Sequence, residues 1–402
     1  MDAFVSRRAL ISSVGLVAMS AGLGACGTSG GRSADLSGSS SSVKSSEQKP
    51  LVQQKLEFMT LEQKVAQLFV VTPEQLTGVS QAVAAGSATR QALEDMPVGG
   101  LCYFAQNITG DQQLRDLLSG TYDMASCSGA GIAPFLAVDE EGGSLVARVA
   151  NSGYFDVQRF SNMAEVGATG DETQAAHVGA AIGEYLHEIG FNVDFAPVAD
   201  VLTNPRNEVI GPRAFSSDSD VVAQMVSAEV AEMLETGTMP CIKHFPGHGD
   251  TAGDSHTGAV VSTRTADEIR TCEYKPFQAG IEAGCPFVMV GHIETPSLAA
   301  DGLPASLSKT MITDELRGRL GFEGVVISDS FVMGAITQRY APGDVAVRFI
   351  QAGGDMILMP ENLQEAYRGV LAAVDGGAIE ESRIDESVER ILEVKKRAGI
   401  LT

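Results

Sequence analysis

Between Lys243 and His256 the chain reads Lys243-His244-Phe245-Pro246-Gly247-His248-Gly249-Asp250-Thr251-Ala252-Gly253-Asp254-Ser255-His256. Three histidines, two aspartates and a lysine fall in a segment too rich in Gly and Pro to be an ordinary helix. Polar side chains on a loop set at a rigid strand end are placed for chemistry, not for packing. Asp254 and His256, two residues apart, can set a carboxylate against one imidazole nitrogen. That fixes the tautomer and leaves the other nitrogen for proton transfer. Two other readings compete: a turn-forming Asp beside an unpartnered His, or metal ligation by His244, His248, Asp254 and His256. Against ligation, the His244-x3-His248 spacing lies in a Pro-Gly segment, not on a helix that would align the two rings.

Asp329 directly follows the apolar run Val325-Val326-Ile327-Ser328. A carboxylate projecting from a strand end can attack an electrophilic carbon or hold a cation, although an Asp at such a turn can also simply cap the next helix. Asp139, Arg148, Arg213, Lys243 and His244 could supply donors and acceptors to a polar ligand, or serve only as ion-pair partners. His177 and His187 fall inside an expected helix and read as surface or packing residues. No Gly-x-Ser-x-Gly elbow, P-loop or dinucleotide-binding glycine fingerprint is present.

Positioning these groups requires a scaffold. The strand candidates are Gln67–Val71, Gly99–Phe104, Pro134–Val138, Asn192–Pro197, Met239–Ile242, Pro286–Val290, Gly324–Ile327 and Asp355–Met359. They are short, continuous and apolar, as expected for parallel strands covered on both faces. Helix-like stretches such as Gln174–Ile189, Val221–Thr236, Ala266–Ala283, Lys309–Leu320 and Asp385–Ala398 alternate with them, and Thr60-Leu61-Glu62-Gln63 opens the first helix with a capping box. Eight strand-then-helix units predict an α/β fold, a (β/α)8 TIM barrel in one catalytic domain over residues 50–402, with the active site at the carboxyl ends of the strands. The residues after each strand agree: Asp139-Glu140-Glu141 after the third, Asp200 after the fourth, Lys243-His244 after the fifth, His292-Ile293-Glu294 after the sixth and Asp329 after the seventh.

The chain has 402 residues, is 44% hydrophobic and carries a formal net charge of −23. That apolar fraction excludes wholesale disorder, and the acidic balance, with no long basic run in the body of the chain, argues against a nucleic-acid partner. Arg7-Arg8 precede an apolar segment, Ala9 to Leu23, that is short for a membrane span. It ends in Leu23-Gly24-Ala25-Cys26, which resembles the lipobox of bacterial lipoproteins; Cys26 would carry the lipid. Ser6-Arg7-Arg8 resembles a twin-arginine export signal, and an ordinary cleaved signal peptide is the alternative. Residues 1–26 thus read as an export signal and 27–49 as a Ser/Gly-rich tether. The expected protein is a monomer held outside the cytoplasmic membrane by an N-terminal lipid anchor. No CxxC pair supports a zinc or redox site. Cys102, Cys241 and Cys285 read as small core residues, while Cys127 or Cys272 could enter a disulfide in an exported protein.

The stretch Lys243–Thr251 followed by Asp254-Ser255-His256 closely resembles the signature of family-3 glycoside hydrolases, in their bacterial single-domain β-N-acetylglucosaminidase branch. Further matches follow in order: Leu61–Leu68, Val138–Gly143, Asn192–Val201, Val209–Phe215, Pro304–Ser308, Leu320–Asp329 and Gly354–Pro360. The first makes Gln67 the end of a helix, not the start of a strand. The resemblance implies a retaining exo-glycosidase without metal or organic cofactor, acting on an oligosaccharide or muropeptide. Asp329 would be the nucleophile and His256, oriented by Asp254, the acid/base. That replaces the usual second carboxylate with an imidazole, which can both donate and accept a proton. Asp139, Arg148, Arg213, Lys243, His244 and His292 would hold the terminal sugar. Two departures stand out: Ser144 follows the double glycine where the branch has Arg, and Ser330-Phe331 follow Asp329 in place of Asp-Leu. β-Glucosidase or phosphorylase activity on the same barrel is the nearer alternative, and an inert sugar-binding lipoprotein the farther one.

Overall fold

The structure is a computed structural model that describes residues 49–401. The export signal, Cys26 and nearly all of the tether lie outside the described residues. Eight parallel strands form the core: β1 (Phe69–Val71), β2 (Gly100–Tyr103), β3 (Phe135–Val138), β4 (Val193–Asp194), β5 (Met239–Phe245), β6 (Phe287–Val290), β7 (Val325–Ser328) and β8 (Ile357–Leu358). Each pairs with its neighbour in chain order, and β8 returns to β1 with Phe69 opposite Ile357. A parallel bridge between Ile327 and Met356, with the Ser328 N–H on the Met356 carbonyl at 2.9 Å, closes the ring between β7 and β8. The fold is a (β/α)8 barrel.

Strand residues are buried almost without exception because helices cover the sheet outside and side chains fill it inside. At the amino-terminal end, Phe135 and Phe287 meet edge to face at 5.2 Å. Lys395, from the final helix Glu381–Arg397, reaches in below them. Its ammonium lies 5.1 Å from the Phe135 ring and donates to Gln67 Oε1 at 2.7 Å. This end is packed shut, so a ligand can enter only at the carboxyl ends of the strands.

Several boundaries differ from the sequence reading for local reasons. Gln67 ends the helix Leu61–Gln67, opened by the reciprocal Thr60–Gln63 capping box, and β1 starts at Phe69. The fourth strand stops at Asp194 because Pro197 has no N–H to give the ladder; the chain still runs beside β5, with Val198 bridged to Lys243. The fifth strand extends to Phe245, so Lys243 and His244 are strand residues, not loop residues. The stretch expected as one helix over Ala266–Ala283 widens into a π turn at Ile269–Glu273 before Tyr274–Glu282. Pro276 lacks the N–H that Cys272 would accept from, and the wider turn accommodates this. Thr310–Arg319 is wound as a π-helix throughout. Cys102, Cys127, Cys241, Cys272 and Cys285 are all free thiols.

Candidate active site

A cavity of about 320 Å³ opens at the carboxyl ends of the strands. Asp139, Arg148, Arg213, Lys243, His244, His256 and Asp329 all line it. These residues come from four different strand ends or the loops beyond them, so the barrel brings together groups spread over most of the sequence.

One wall is a charged cluster. Lys243 Nζ lies 2.7 Å from Asp139 Oδ1 and 2.6 Å from Glu141 Oε1. Arg213 grips Glu141 in a two-pronged contact, Nε to Oε2 and Nη2 to Oε1, both at 2.7 Å. Burial would raise the Glu141 carboxyl, but the charges of Lys243 and Arg213 outweigh it and pull the pKa down to about 2. Conversely, burial opposes the Lys243 ammonium, yet Asp139 and Glu141 hold its pKa above the usual value. Glu141 was not singled out from sequence. The signal was its place in Asp139-Glu140-Glu141, but nothing local says which of three neighbouring carboxylates faces the cavity.

The hairpin after β3 makes that choice. Glu140 turns the other way and accepts the N–H groups of Val149 at 2.7 Å and Ala150 at 2.8 Å, with the Tyr185 hydroxyl at 2.8 Å. These bonds tie the returning strand Val146–Ala147 to Glu140–Gly142 and set Arg148 at the cavity. Arg148 lies 5.8 Å from the Phe104 ring, and its Nε is buried without a hydrogen-bond partner. A buried donor left unpaired is costly, while the residue as a whole lines the cavity. The Ser144 departure therefore still leaves an arginine in this wall.

The histidines are held in four different ways. The His244 Nδ1–H donates to Asp200 Oδ2 at 2.7 Å, while the His248 N–H donates to Asp200 Oδ1 at 2.6 Å. This leaves His244 Nε2 for the cavity. His248 is enclosed between Thr251 and Ser255 hydroxyls at 2.7 and 3.2 Å, and its burial lowers its pKa. His256 stands at the rim, 65% exposed, with Nδ1 on Asp254 Oδ1 at 2.7 Å. Burial works against the Asp254 charge, but the His256 N–H and imidazole hold its pKa below the ordinary value. His292 does not line the cavity. Its Nε2–H donates to the Ser330 carbonyl at 3.0 Å and its Nδ1 accepts from the Ser306 hydroxyl at 2.8 Å. His292 thus supports the backbone next to Asp329 instead of facing a ligand, and burial lowers its pKa.

Asp329 is fixed by its backbone, whose N–H donates to the Val290 carbonyl at 2.9 Å, and by the Ser330 N–H on its Oδ1 at 2.7 Å. Burial would raise this carboxyl; His244, the Ser330 N–H and the Lys243 charge more than offset it, so the pKa lies below the ordinary range. A carboxylate ionised at neutral pH therefore shares one cavity with an imidazole that has one nitrogen engaged and one free. The pair can deliver a nucleophile and a proton to opposite atoms of one scissile bond. His177 is on the surface against Gln158 and Phe160, and His187 packs under Gly237. Among the described residues no group of three or more His, Cys, Asp or Glu side chains is arranged to hold a metal ion.

A closed parallel barrel with its polar cavity at the carboxyl ends of the strands defines a (β/α)8-barrel enzyme. Residues 60–394 match the family model described as "Glycosyl hydrolase family 3 N terminal domain", and the chain belongs to glycosyl hydrolase family 3. A curated relative from Pseudoalteromonas piscicida, named beta-hexosaminidase A, is 33% identical over 75% of this chain and 53% of its own length. The beta-hexosaminidase of Stenotrophomonas maltophilia strain K279a is 35% identical over 70% of this chain and 82% of its own. Among solved structures, a family 3 beta-N-acetylglucosaminidase from Paenibacillus superposes with a TM-score of 0.79 at 35% identity, covering 85% of this chain and 63% of that one. The chain thus spans about half the length of the Pseudoalteromonas relative and under two thirds of the Paenibacillus one. The relatives' names place it among the glycoside hydrolases.

Proposed function

We propose that the protein is an exported retaining exo-glycosidase that removes terminal β-linked N-acetylglucosamine. Its expected natural substrates are peptidoglycan fragments in which that sugar is joined to N-acetylmuramic acid. One observation carries the reading: the Asp329 carboxylate and the Asp254-braced His256 imidazole line the same cavity. The Asp329 carboxylate attacks the anomeric carbon as the bond to the aglycone oxygen breaks. The His256 imidazolium gives its Nε2 proton to that oxygen, while Asp254 keeps Nδ1–H in place and stabilises the cation. In the second step, neutral His256 takes a proton from water as the water oxygen bonds to the anomeric carbon and Asp329 leaves as a carboxylate. Asp139, Arg148, Lys243 and His244 bind the sugar hydroxyls directly. Arg213 holds Glu141 and, through it, Lys243, while His292 steadies the Asp329 backbone.

Preference for N-acetylglucosamine is supported by the names of the relatives. A cavity closed below by the packed barrel favours the end of a sugar chain over its middle. Export rests on Arg7-Arg8, the apolar segment and Leu23–Cys26; among the described residues no helix is long and apolar enough to cross a membrane.

The test is release of aryl alcohol from matched β-N-acetylglucosaminide and β-glucoside substrates, with and without phosphate. The N-acetyl sugar should be preferred and phosphate should not matter. Asp329→Ala should abolish turnover. His256→Ala should cost about 10²–10⁴-fold on poorly acidic leaving groups and far less on strongly acidic ones. A glucoside preference, a phosphate requirement, or unchanged activity in either variant contradicts the reading.

A further inference from the structure

The loop that carries Asp254 and His256 is attached at its base, at its tip, and beyond the tip where Val260 and Val261 pair with Ile293 and Glu294. Its base is bound to the loop after β4. There the Asn207 side chain donates to the His248 carbonyl at 2.7 Å and the Asn204 N–H to the Gly249 carbonyl at 3.1 Å. Its tip is bound elsewhere. The Gly334 N–H donates to the His256 carbonyl at 3.1 Å, and the Ala335 N–H to the Ser255 carbonyl at 3.1 Å. The Gln338 side-chain amide donates to the Thr257 carbonyl at 3.0 Å. Three consecutive residues centred on His256 thus rest on one short segment, and that segment follows Asp329 in the chain.

The fit is close. Gly334 is buried, and a Cβ there would stand 2.7 Å from the His256 oxygen and 3.1 Å from the Thr257 carbonyl carbon. Its φ is not in the left-handed region, so the glycine serves close approach, not an unusual backbone. The near end of the segment is anchored to the barrel. The Phe331 N–H donates to the Leu358 carbonyl at 2.9 Å, and the Asp329 N–H is on Val290.

We infer that residues 334–338 are the seat that sets the position of His256 relative to Asp329, with Gly334 and Gln338 as positioning residues for proton transfer. The inference rests on the reading of His256 as acid/base. One strand end then controls both halves of the reaction: β7 presents the nucleophile and, a few residues on, the platform for the proton donor. An Ala at Gly334 must push the His256 backbone away. Removing the Gln338 amide releases one of three tethers without touching the cavity, since Gln338 is exposed and does not line it.

The experiment measures kcat/KM for Gln338→Ala, Gln338→Glu, Gly334→Ala and His256→Ala on aryl N-acetylglucosaminides ranging from dinitrophenyl to phenyl leaving groups. A dinitrophenolate departs without a proton, so a misplaced acid goes unnoticed there; a phenolate needs one. Gln338→Ala should lose about 10-fold and Gly334→Ala about 10²-fold on the phenyl substrate, with no more than about 2-fold loss on the dinitrophenyl one. Gln338→Glu keeps the shape but has no N–H to donate, and should behave as Gln338→Ala. Equal losses across all leaving groups, or none, would overturn the assignment, because a general loss of folded protein or sugar binding does not depend on the leaving group. A steep dependence for His256→Ala with flat profiles for the seat variants rejects this inference alone. A flat profile for His256→Ala itself rejects the acid/base reading, and the inference falls with it.

Discussion

Glu141 serves two buried cations at once, Lys243 at 2.6 Å and Arg213 at 2.7 Å, and is itself almost fully buried. Removing one partner of a buried ion pair leaves the others desolvated and uncompensated, which costs far more than the pair contributes net. Glu141→Gln should therefore lower stability by about 3–5 kcal/mol in urea unfolding and displace Lys243 from the charged wall of the cavity. A loss within experimental error would contradict the charge assignment. The sign of the pH dependence follows from the same contacts. The folded pKa of about 2 lies below the ordinary 4.5, so this stabilisation is complete above pH 4.5 and is lost as pH falls towards 2. At this scale the sequence pointed to residue types and to most members of the wall, because Asp139, Arg213 and Lys243 stand in long motifs. It could not separate Glu140 from Glu141. Their opposite orientations depend on the hairpin returning through Val149 and Ala150. Nor could it expose Gly334, whose importance lies in a contact with a residue far away in the chain.

At the scale of elements, the tightest helix pair is Glu172–Ile189 against Ser219–Glu235. They approach through Gly179, where a Cβ would stand 2.3 Å from the Glu229 carbonyl oxygen. This contact encloses the Glu229 side chain, whose two carboxyl oxygens have no partner, beside Asp194, whose Oδ2 is likewise unpaired. Burial first, and then the Asp194 charge, push the Glu229 pKa well above 4.5. The folded state then holds a proton that the unfolded chain has already released above pH 4.5, so stability declines as pH rises through that range. Glu229→Gln mimics the protonated group and should flatten part of this decline. Its stability advantage over the native chain should grow with pH above 4.5, by up to about 1.4 kcal/mol per unit. A difference independent of pH would show that Glu229 is ionised in the fold. The elements themselves were largely legible. Short apolar runs become strands, and 3.6-residue periodicity becomes helix. What escaped was of two kinds: local proline effects, with Pro197 ending β4 and Pro276 widening a helix into a π turn, and pairing, with the Val198 and Phe245 contacts extending β5 through Lys243-His244.

For the whole molecule, the order of eight strand-then-helix units was enough to predict the barrel, because each right-handed crossover places the next strand beside the last. Closure was not legible. It depends on the β8–β1 register and on the Ile327–Met356 bridge, which no local pattern encodes. Closure is also what gathers the site. Asp139, Lys243, His256 and Asp329 come together only when the ring is complete, with the base sealed by Phe135, Phe287 and Lys395. In the proposed mechanism Asp329 forms a covalent bond to the sugar. The most direct test is intact-mass and peptide mapping of the enzyme trapped with a 5-fluoro N-acetylglucosaminyl fluoride, whose glycosyl-enzyme hydrolyses slowly. One added sugar is expected on the peptide containing Asp329, and none in Asp329→Ala. Turnover of the native enzyme without a label, or a label elsewhere, would mean that the substrate's own acetamido group or another residue makes the attack.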